Sequence, residues 1–276
     1  MSIGRRRLLS LALTLPSLIV VARAQDVPLE TERTIALPAV SGRIDHLTLD
    51  ATGSKLWVAA LGNNTVEVLD LAGGKPLQSL SGPKEPQGIC LIPDLKRIVV
   101  ASGEDGMVRA YDDDRKVVAS VSGLEDADNV RYDPSEKRLY VGYGKGALGV
   151  LDRDKLTKLK EIPLDGHPES FQLEQHGQRL FVNVPTAQHV AVVDRKTGSV
   201  IARWPVKEAQ ANYPMALDEG HQRLFVVCRK PARLHALRYA GRSPCRCFAP
   251  VLIQRKRRVT PNAIYEHLPK AHLRVS

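Results

Sequence analysis

Leu139-Tyr140-Val141-Gly142 decides the fold, because versions of it occur five times. The others are Leu56-Trp57-Val58-Ala59, Ile98-Val99-Val100-Ala101, Leu180-Phe181-Val182-Asn183 and Leu224-Phe225-Val226-Val227, and the successive offsets are 42, 41, 41 and 44 residues. Branched and aromatic residues in runs this short are strand formers. Just upstream of each run lies another apolar stretch, at His46–Asp50, Gly88–Ile92, Asn129–Asp133, Ser170–Glu174 and Pro214–Asp218. The links between the two, such as Asp50-Ala51-Thr52-Gly53, Asp133-Pro134-Ser135-Glu136 and Asp218-Glu219-Gly220, have tight-turn composition. Downstream comes a third strand that ends in an acid, at Val66–Asp70, Val108–Asp112, Leu148–Asp152 and Val190–Asp194. A fourth follows at Leu77–Leu80, Val117–Val121, Leu159–Ile162 and Val200–Trp204.

Four short strands in each unit of about 41 residues is the arithmetic of a propeller blade. A β-sandwich has strands of similar length but gives no reason for four-strand units to recur in register. The expected fold is therefore all-β, a β-propeller of four-stranded antiparallel blades at residues 42–82, 84–123, 126–166 and 167–207, with a partial blade at 211–237. No amphipathic helix interrupts residues 38–237.

Leu139-Tyr140-Val141, Leu56-Trp57-Val58-Ala59 with Asn63-Asn64-Thr65-Val66-Glu67-Val68-Leu69-Asp70, and His189–Asp194 running into Arg195-Lys196-Thr197-Gly198 resemble the YncE-like, YVTN-type propellers. The likeness covers about 200 residues and extends more distantly to surface-layer and quinoprotein-like propellers. It implies seven blades and a periplasmic location. It implies no particular chemistry, since such propellers are scaffolds with varied duties. Seven blades need about 290 residues after any leader, and about four and a half are present.

The periodicity stops after Pro231-Ala232-Arg233-Leu234, where Arg238-Tyr239-Ala240-Gly241-Arg242-Ser243-Pro244-Cys245-Arg246-Cys247 replaces the acid-terminated strand and its turn. Residues 238–276 form a basic tail that includes Arg255-Lys256-Arg257-Arg258. Leu237-Arg238-Tyr239-Ala240, written CTA CGA TAC GCC, holds Tyr-Asp-Thr in a shifted frame, so a frameshift near residue 237 is one reading of this tail. A divergent basic tail and an unusual cap are the others. A propeller broken off there is expected to be marginal and prone to aggregate unless another chain covers its edges.

The net charge of +10 comes from the ends. Residues 1–24 hold four arginines and residues 238–276 hold nine Lys/Arg, which leaves a body with 27 basic and 29 acidic residues. A nucleic-acid partner loses its electrostatic basis. Arg5-Arg6-Arg7, the apolar run Leu8–Val21 and small Ala22 and Ala24 make residues 1–24 a secretion signal cut after Ala24, through the general or the twin-arginine route. A disordered basic start before a buried helix is the alternative. The expected location is the periplasm or the exterior, with no stable membrane span after cleavage. Cys90, Cys228, Cys245 and Cys247 lack zinc or redox spacing.

Function is expected where loops enter the first strand of each blade, because those residues lie near the axis. They read Arg43-Ile44-Asp45-His46, Glu85-Pro86-Gln87-Gly88, Asp126-Ala127-Asp128-Asn129, His167-Pro168-Glu169-Ser170 and Asn212-Tyr213-Pro214. Asp45, His46, Asp128, Asn129, His167 and Glu169 are candidate ligands for a divalent, calcium-like cation, with Asp128 and Glu169 as candidate acid–base groups. The resemblance of this pattern to calcium-dependent lactonase propellers implies a metal-dependent hydrolase. Channel lining, turn capping and an interaction surface for a small molecule or protein are the competing readings. Arg109 and Arg131 are candidates to meet an anion. His176, His189 and His221 are read as solvated or packing residues, and Trp57, Tyr140, Phe181 and Phe225 as core between blades. No Gly-Xaa-Ser-Xaa-Gly element, cysteine–histidine pairing or haem Cys-Xaa-Xaa-Cys-His element is present, and no cofactor clamp supports quinoprotein-like electron transfer. A binding scaffold is the leading reading and a hydrolase the alternative.

Overall fold

The computed structural model describes residues 32–239 and two short strands beyond them, so the expected secretion signal at residues 1–24 and most of the basic tail lie outside the described residues. Everything described from Arg33 onward belongs to one unit. It contains β1 (Leu47–Leu49), β2 (Lys55–Ala60), β3 (Thr65–Asp70) and β4 (Lys75–Ser81) as a first sheet. The second is β5 (Pro86–Ile92), β6 (Arg97–Ser102), β7 (Met107–Tyr111) and β8 (Val117–Val121). The third is β9 (Val130–Asp133), β10 (Arg138–Tyr143), β11 (Ala147–Asp152) and β12 (Lys158–Pro163). The fourth is β13 (Phe171–Leu173), β14 (Arg179–Val184), β15 (His189–Asp194) and β16 (Ser199–Pro205). The fifth is β17 (Gln210–Asp218), β18 (Arg223–Lys230), β19 (Ala232–Arg238) and β20 (Cys245–Arg246), with β21 (Val251–Leu252) also paired to β19.

Each sheet is an antiparallel meander with strands in chain order, so the fold is a β-propeller of five blades. The fifth blade is more complete than the sequence suggests, since β19 finds short partners past residue 237. Among the described residues there is no α-helix, only three single 3₁₀ turns, and no helix long and apolar enough to cross a membrane.

The third-strand acids explain why the blades turn where they do. Asp70, Asp112, Asp152 and Asp194 each accept a backbone N–H from the following turn, from Gly73, Lys116, Lys155 and Thr197, at 2.8 to 2.9 Å. Asp50 does the same between the first two strands, accepting from Ser54 and Lys55 at 2.8 and 2.9 Å. The Lys55 N–H and the Thr52 hydroxyl hold its carboxyl down to about 2.

Strand alternation then builds the seams. In β10, Leu139 and Val141 face the preceding blade with Val99, Ala101 and Val130, whereas Tyr140 faces the following one with Phe171, Leu180 and Val182. Trp57 packs against Ile89, Ile98 and Val100 in the first seam. Phe181 and Trp204 meet Leu224, Val226 and Tyr239 in the fourth. The third seam also buries the Asp133–Arg195 ion pair.

Five blades therefore share four described seams. The outer face of the first blade leaves Leu47 and Leu49 44% and 55% exposed. Phe225, expected in the core from its repeat phase, is partly exposed because no described blade follows to cover it. Each of the first four blades also carries a bulge in its outer strand, which leaves Leu77, Val118, Leu159 or Ile201 unpaired and exposed.

Candidate functional site

The first strands β1, β5, β9, β13 and β17 are successive neighbours, so the loops entering them converge on the inner side of the blades. Asp45, Asp128 and Glu169 occupy one repeat phase. The backbone N–H of each bonds the second strand of its own blade, at Ala59, Gly142 and Asn183, over 2.8 to 3.0 Å. That shared register aims three carboxyl groups from the first, third and fourth blades at one region.

Asp128 is its centre and is buried. One of its oxygens lies 3.0 Å from His46 Nε2 and the other 3.8 Å from His167 Nε2. The Nδ1 of His167 faces the Gly144 carbonyl at 2.6 Å, which fixes the ring. Asp45 gives one oxygen to Arg43 at 2.7 Å and turns the other towards His46 at 3.8 Å. Asn129 is fully buried beside them, with its amide nitrogen 3.4 Å from His46 Nε2 and its amide oxygen without a partner among the described residues. Glu169 closes the group beside Asp128 and His167.

The electrostatics follow from this crowding. Burial alone would raise Asp128, but the nearby His167 side chain, the hydrogen bond with His46 and the charges of both rings outweigh it and bring the carboxyl to about 2. The neighbouring Asp128 carboxylate lifts His167 to about 9 against desolvation, with help from the Gly144 carbonyl. Glu169 is pushed up to about 7 by burial and by the charge of Asp128. The site thus combines a carboxyl held down, an imidazole held up and a second carboxyl pushed up towards neutrality.

All six expected residues come together. The second blade contributes Gln87, which donates to Asp126 at 3.2 Å beside His167, and carries no side chain at the next position, where His46 passes to Asp128 two blades away. Gly88 stands at the phase of His46, Asn129 and Ser170, and a Cβ there would run into the Asp128 carbonyl oxygen and lie 2.9 Å from the Val130 nitrogen. The role of Gly88 and the Gly144 carbonyl were missed by the sequence reading. A glycine at a phase where other blades carry polar side chains is the signal for the first.

Arg109 pairs with Asp105 at 2.7 Å through one terminal nitrogen, the other being buried without a partner among the described residues, and Arg131 lies 5.8 Å over the Phe171 ring and donates to the Val130 carbonyl. His176 and His221 are exposed beside Glu219 and Asp218. His189 is buried in packing, and burial pushes its ring down. Cys90 and Cys228 are free and buried, with their thiols raised to about 11 by desolvation.

Asp45, His46 and Asp128 form one set of prospective metal donors and Asp128, His167 and Glu169 another, and within each set one donor atom per residue lies within 4.8 Å of the others. Each set mixes imidazole nitrogen with carboxylate oxygen. Calcium prefers six to eight oxygens, so the donors suit a borderline first-row cation better than the calcium-like ion expected from the sequence.

No family model matches the sequence, and no curated protein matches it significantly. Solved structures do. Hydrazine synthase of Kuenenia stuttgartiensis is similar with a TM-score of 0.57 and 15% identity, covering 78% of this chain and 69% of that one. The Cps50 (Swd1) β-propeller domain of Myceliophteria thermophila is similar with a TM-score of 0.60 and 14% identity, covering 71% of this chain and 65% of that one. The chain thus spans about two thirds of the length of these structures, and at such identities the likeness establishes the β-propeller fold.

Proposed function

We propose that this chain is an exported binding scaffold of the YncE-like, YVTN-type propellers, taking its ligand at the axial cluster around Asp128. The observation that carries the reading is the meeting of Asp45, His46, Asp128, Asn129, His167 and Glu169 from three blades, with the buried Asn129 amide oxygen left without a partner among the described residues. Buried polar groups are ordinarily paired, so a site that leaves one open is adapted to something that pairs it. Cationic groups and hydrogen-bond donors, on a small molecule or a protein side chain, fit it.

A thermal-shift panel of amines, polyols and sugar acids tests this reading. At least one member is expected to raise the midpoint of the wild-type chain and not that of Asp128→Asn. A panel without effect, or a shift that Asp128→Asn retains, overturns it.

The second reading is a metal-dependent hydrolase or lactonase. It is favoured by Glu169, whose carboxyl at about 7 suits a general base beside an ion-binding cluster. Hydrolysis of simple lactones that both EDTA and Glu169→Gln abolish would carry it. Binding without turnover carries the scaffold.

Export rests on the leader-like residues 1–24, and cell fractionation of a tagged chain tests it. The frame-shifted reading of the tail has support in the register. Lys55 faces Asp70, Arg138 faces Asp152 and Arg179 faces Asp194, but Arg223 faces Arg238. Resequencing through the codons for residues 225–245 tests it: further blade units in another frame would support a shift, and their absence would make the tail genuine.

A further inference from the structure

The six axial residues do not form a single ring of donors. Asp45, His46 and Asp128 come within reach of one another, as do Asp128, His167 and Glu169, and Asp128 is the member common to both sets. Its two oxygens are divided between them, Oδ1 towards His46 Nε2 at 3.0 Å and Oδ2 towards His167 Nε2 at 3.8 Å. Each set holds one imidazole and one further carboxylate, so the arrangement is nearly symmetric about Asp128.

We propose that the axial cluster is a two-ion site in which Asp128 bridges two divalent first-row cations, one completed by Asp45 and His46 and the other by His167 and Glu169. This rests on the reading of the cluster as the ligand site and adds what the ligand is. Imidazole nitrogen with carboxylate oxygen is the donor chemistry of zinc, manganese and their neighbours. A carboxylate that offers a separate oxygen to each side is what a bridge between closely spaced ions requires, since paired ions sit about 3.5–4 Å apart.

Two further observations point to a ligand here. Asn129 is 0% exposed, touches His46 with its amide nitrogen, and has a buried amide oxygen that no described group satisfies. That oxygen is a neutral donor that a bound ion could use. Asp45 is held by Arg43 through Oδ2 alone, at 2.7 Å, and keeps Oδ1 on the His46 side. The glycine at position 88 lets the third blade come close enough for Asp128 to be shared with the first.

The test uses the full chain, stripped with EDTA and dialysed free of it, then titrated with Zn²⁺ by calorimetry and loaded with Mn²⁺ for electron paramagnetic resonance. The wild type is expected to take two Zn²⁺ per chain, His46→Ala one, His167→Ala one and Asp128→Ala none. The Mn²⁺ spectrum is expected to show a spin-coupled pair in the wild type and an isolated six-line ion in either histidine variant. Circular dichroism melts establish that each variant is folded. If Asp128→Ala is not, Asp128→Asn replaces it and is expected to lose the coupled spectrum.

One Zn²⁺ per wild-type chain, or two that persist in folded Asp128→Ala, overturns the proposal. No Zn²⁺ binding, together with an Asp128-dependent shift by an organic ligand, overturns it and leaves the scaffold reading standing. Binding of neither overturns both.

Discussion

Phe181 and Phe225 hold the same position in successive repeats but should differ in what they contribute. Phe181 is fully buried in the seam between the fourth and fifth blades, with its ring 5.4 Å from that of Trp204 and 4.9 Å from that of Tyr239. Truncating a buried phenylalanine costs about 3–5 kcal/mol, a range that includes the cavity left behind. Two tilted aromatic neighbours place Phe181→Ala near the upper part of it. Phe225 is partly exposed, so much of its surface never leaves water, and Phe225→Ala should cost about 1 kcal/mol. At about 2–4 °C per kcal/mol for a domain of this size, the melting midpoints should fall by roughly 8–20 °C and 2–4 °C. Parallel thermal melts by circular dichroism and by Trp57 and Trp204 fluorescence read both, and agreement of the two probes checks cooperativity. Equal losses in the two variants would refute the reasoning, because they would mean that the outer face of the fifth blade is covered as fully as a seam.

Gly88→Ala forces a methyl group towards the Asp128 carbonyl and is expected to cost about 1–3 kcal/mol by overpacking, read as a lower urea midpoint. An unchanged midpoint would show that the second and third blades yield there. Arg238→Asp replaces a cross-strand like-charge pair with Arg223 by an opposite-charge one and should stabilise by about 0.2–1 kcal/mol, seen as a small rise in melting temperature at low salt. A fall would count against the register at the end of β19. Asp133→Ala leaves Arg195 buried without its carboxylate and is expected to cost about 3–5 kcal/mol by chemical denaturation. A loss below about 1 kcal/mol would mean that water reaches the guanidinium. The carboxyl of Asp50 lies below its ordinary value of 3.8, at about 2, so its contribution is present above pH 4 and disappears as pH falls through 2. The difference in stability between wild type and Asp50→Asn should therefore shrink over that interval in an acid titration, and a difference that stays constant would exclude Asp50 as its source.

The fold was legible because the blade pattern is local and repeated. Third-strand acids such as Asp152 and Asp194 could be picked out from spacing alone, and the structure gives each a turn to cap. The candidate site was legible for the same reason, since equal phase in the repeat put Asp45, Asp128 and Glu169 at equal depth. What spacing cannot carry is the identity of a neighbour. Phe225 reads as core from its own blade, and only the lack of a following described blade exposes it. The bulges at Leu77, Val118, Leu159 and Ile201 depend on registers that differ by one residue, which an apolar run does not specify. The contact of His46 with Asp128 depends on the glycine of an intervening blade and becomes visible only when all three blades are in place.

That contact changes how the molecule should come apart. In a linear array of repeats each unit touches only its neighbours, so a terminal unit can fray without consulting the interior. Here the first blade is tied to the third through His46 and Asp128, and Asp128 in turn faces the fourth through His167. Loss of the first blade therefore removes a hydrogen-bonded partner from a buried carboxylate two repeats away, which couples the exposed end of the series to its middle. Hydrogen exchange should show the amides of β1 and β9 opening together, in step with each other rather than with the blade that lies between them.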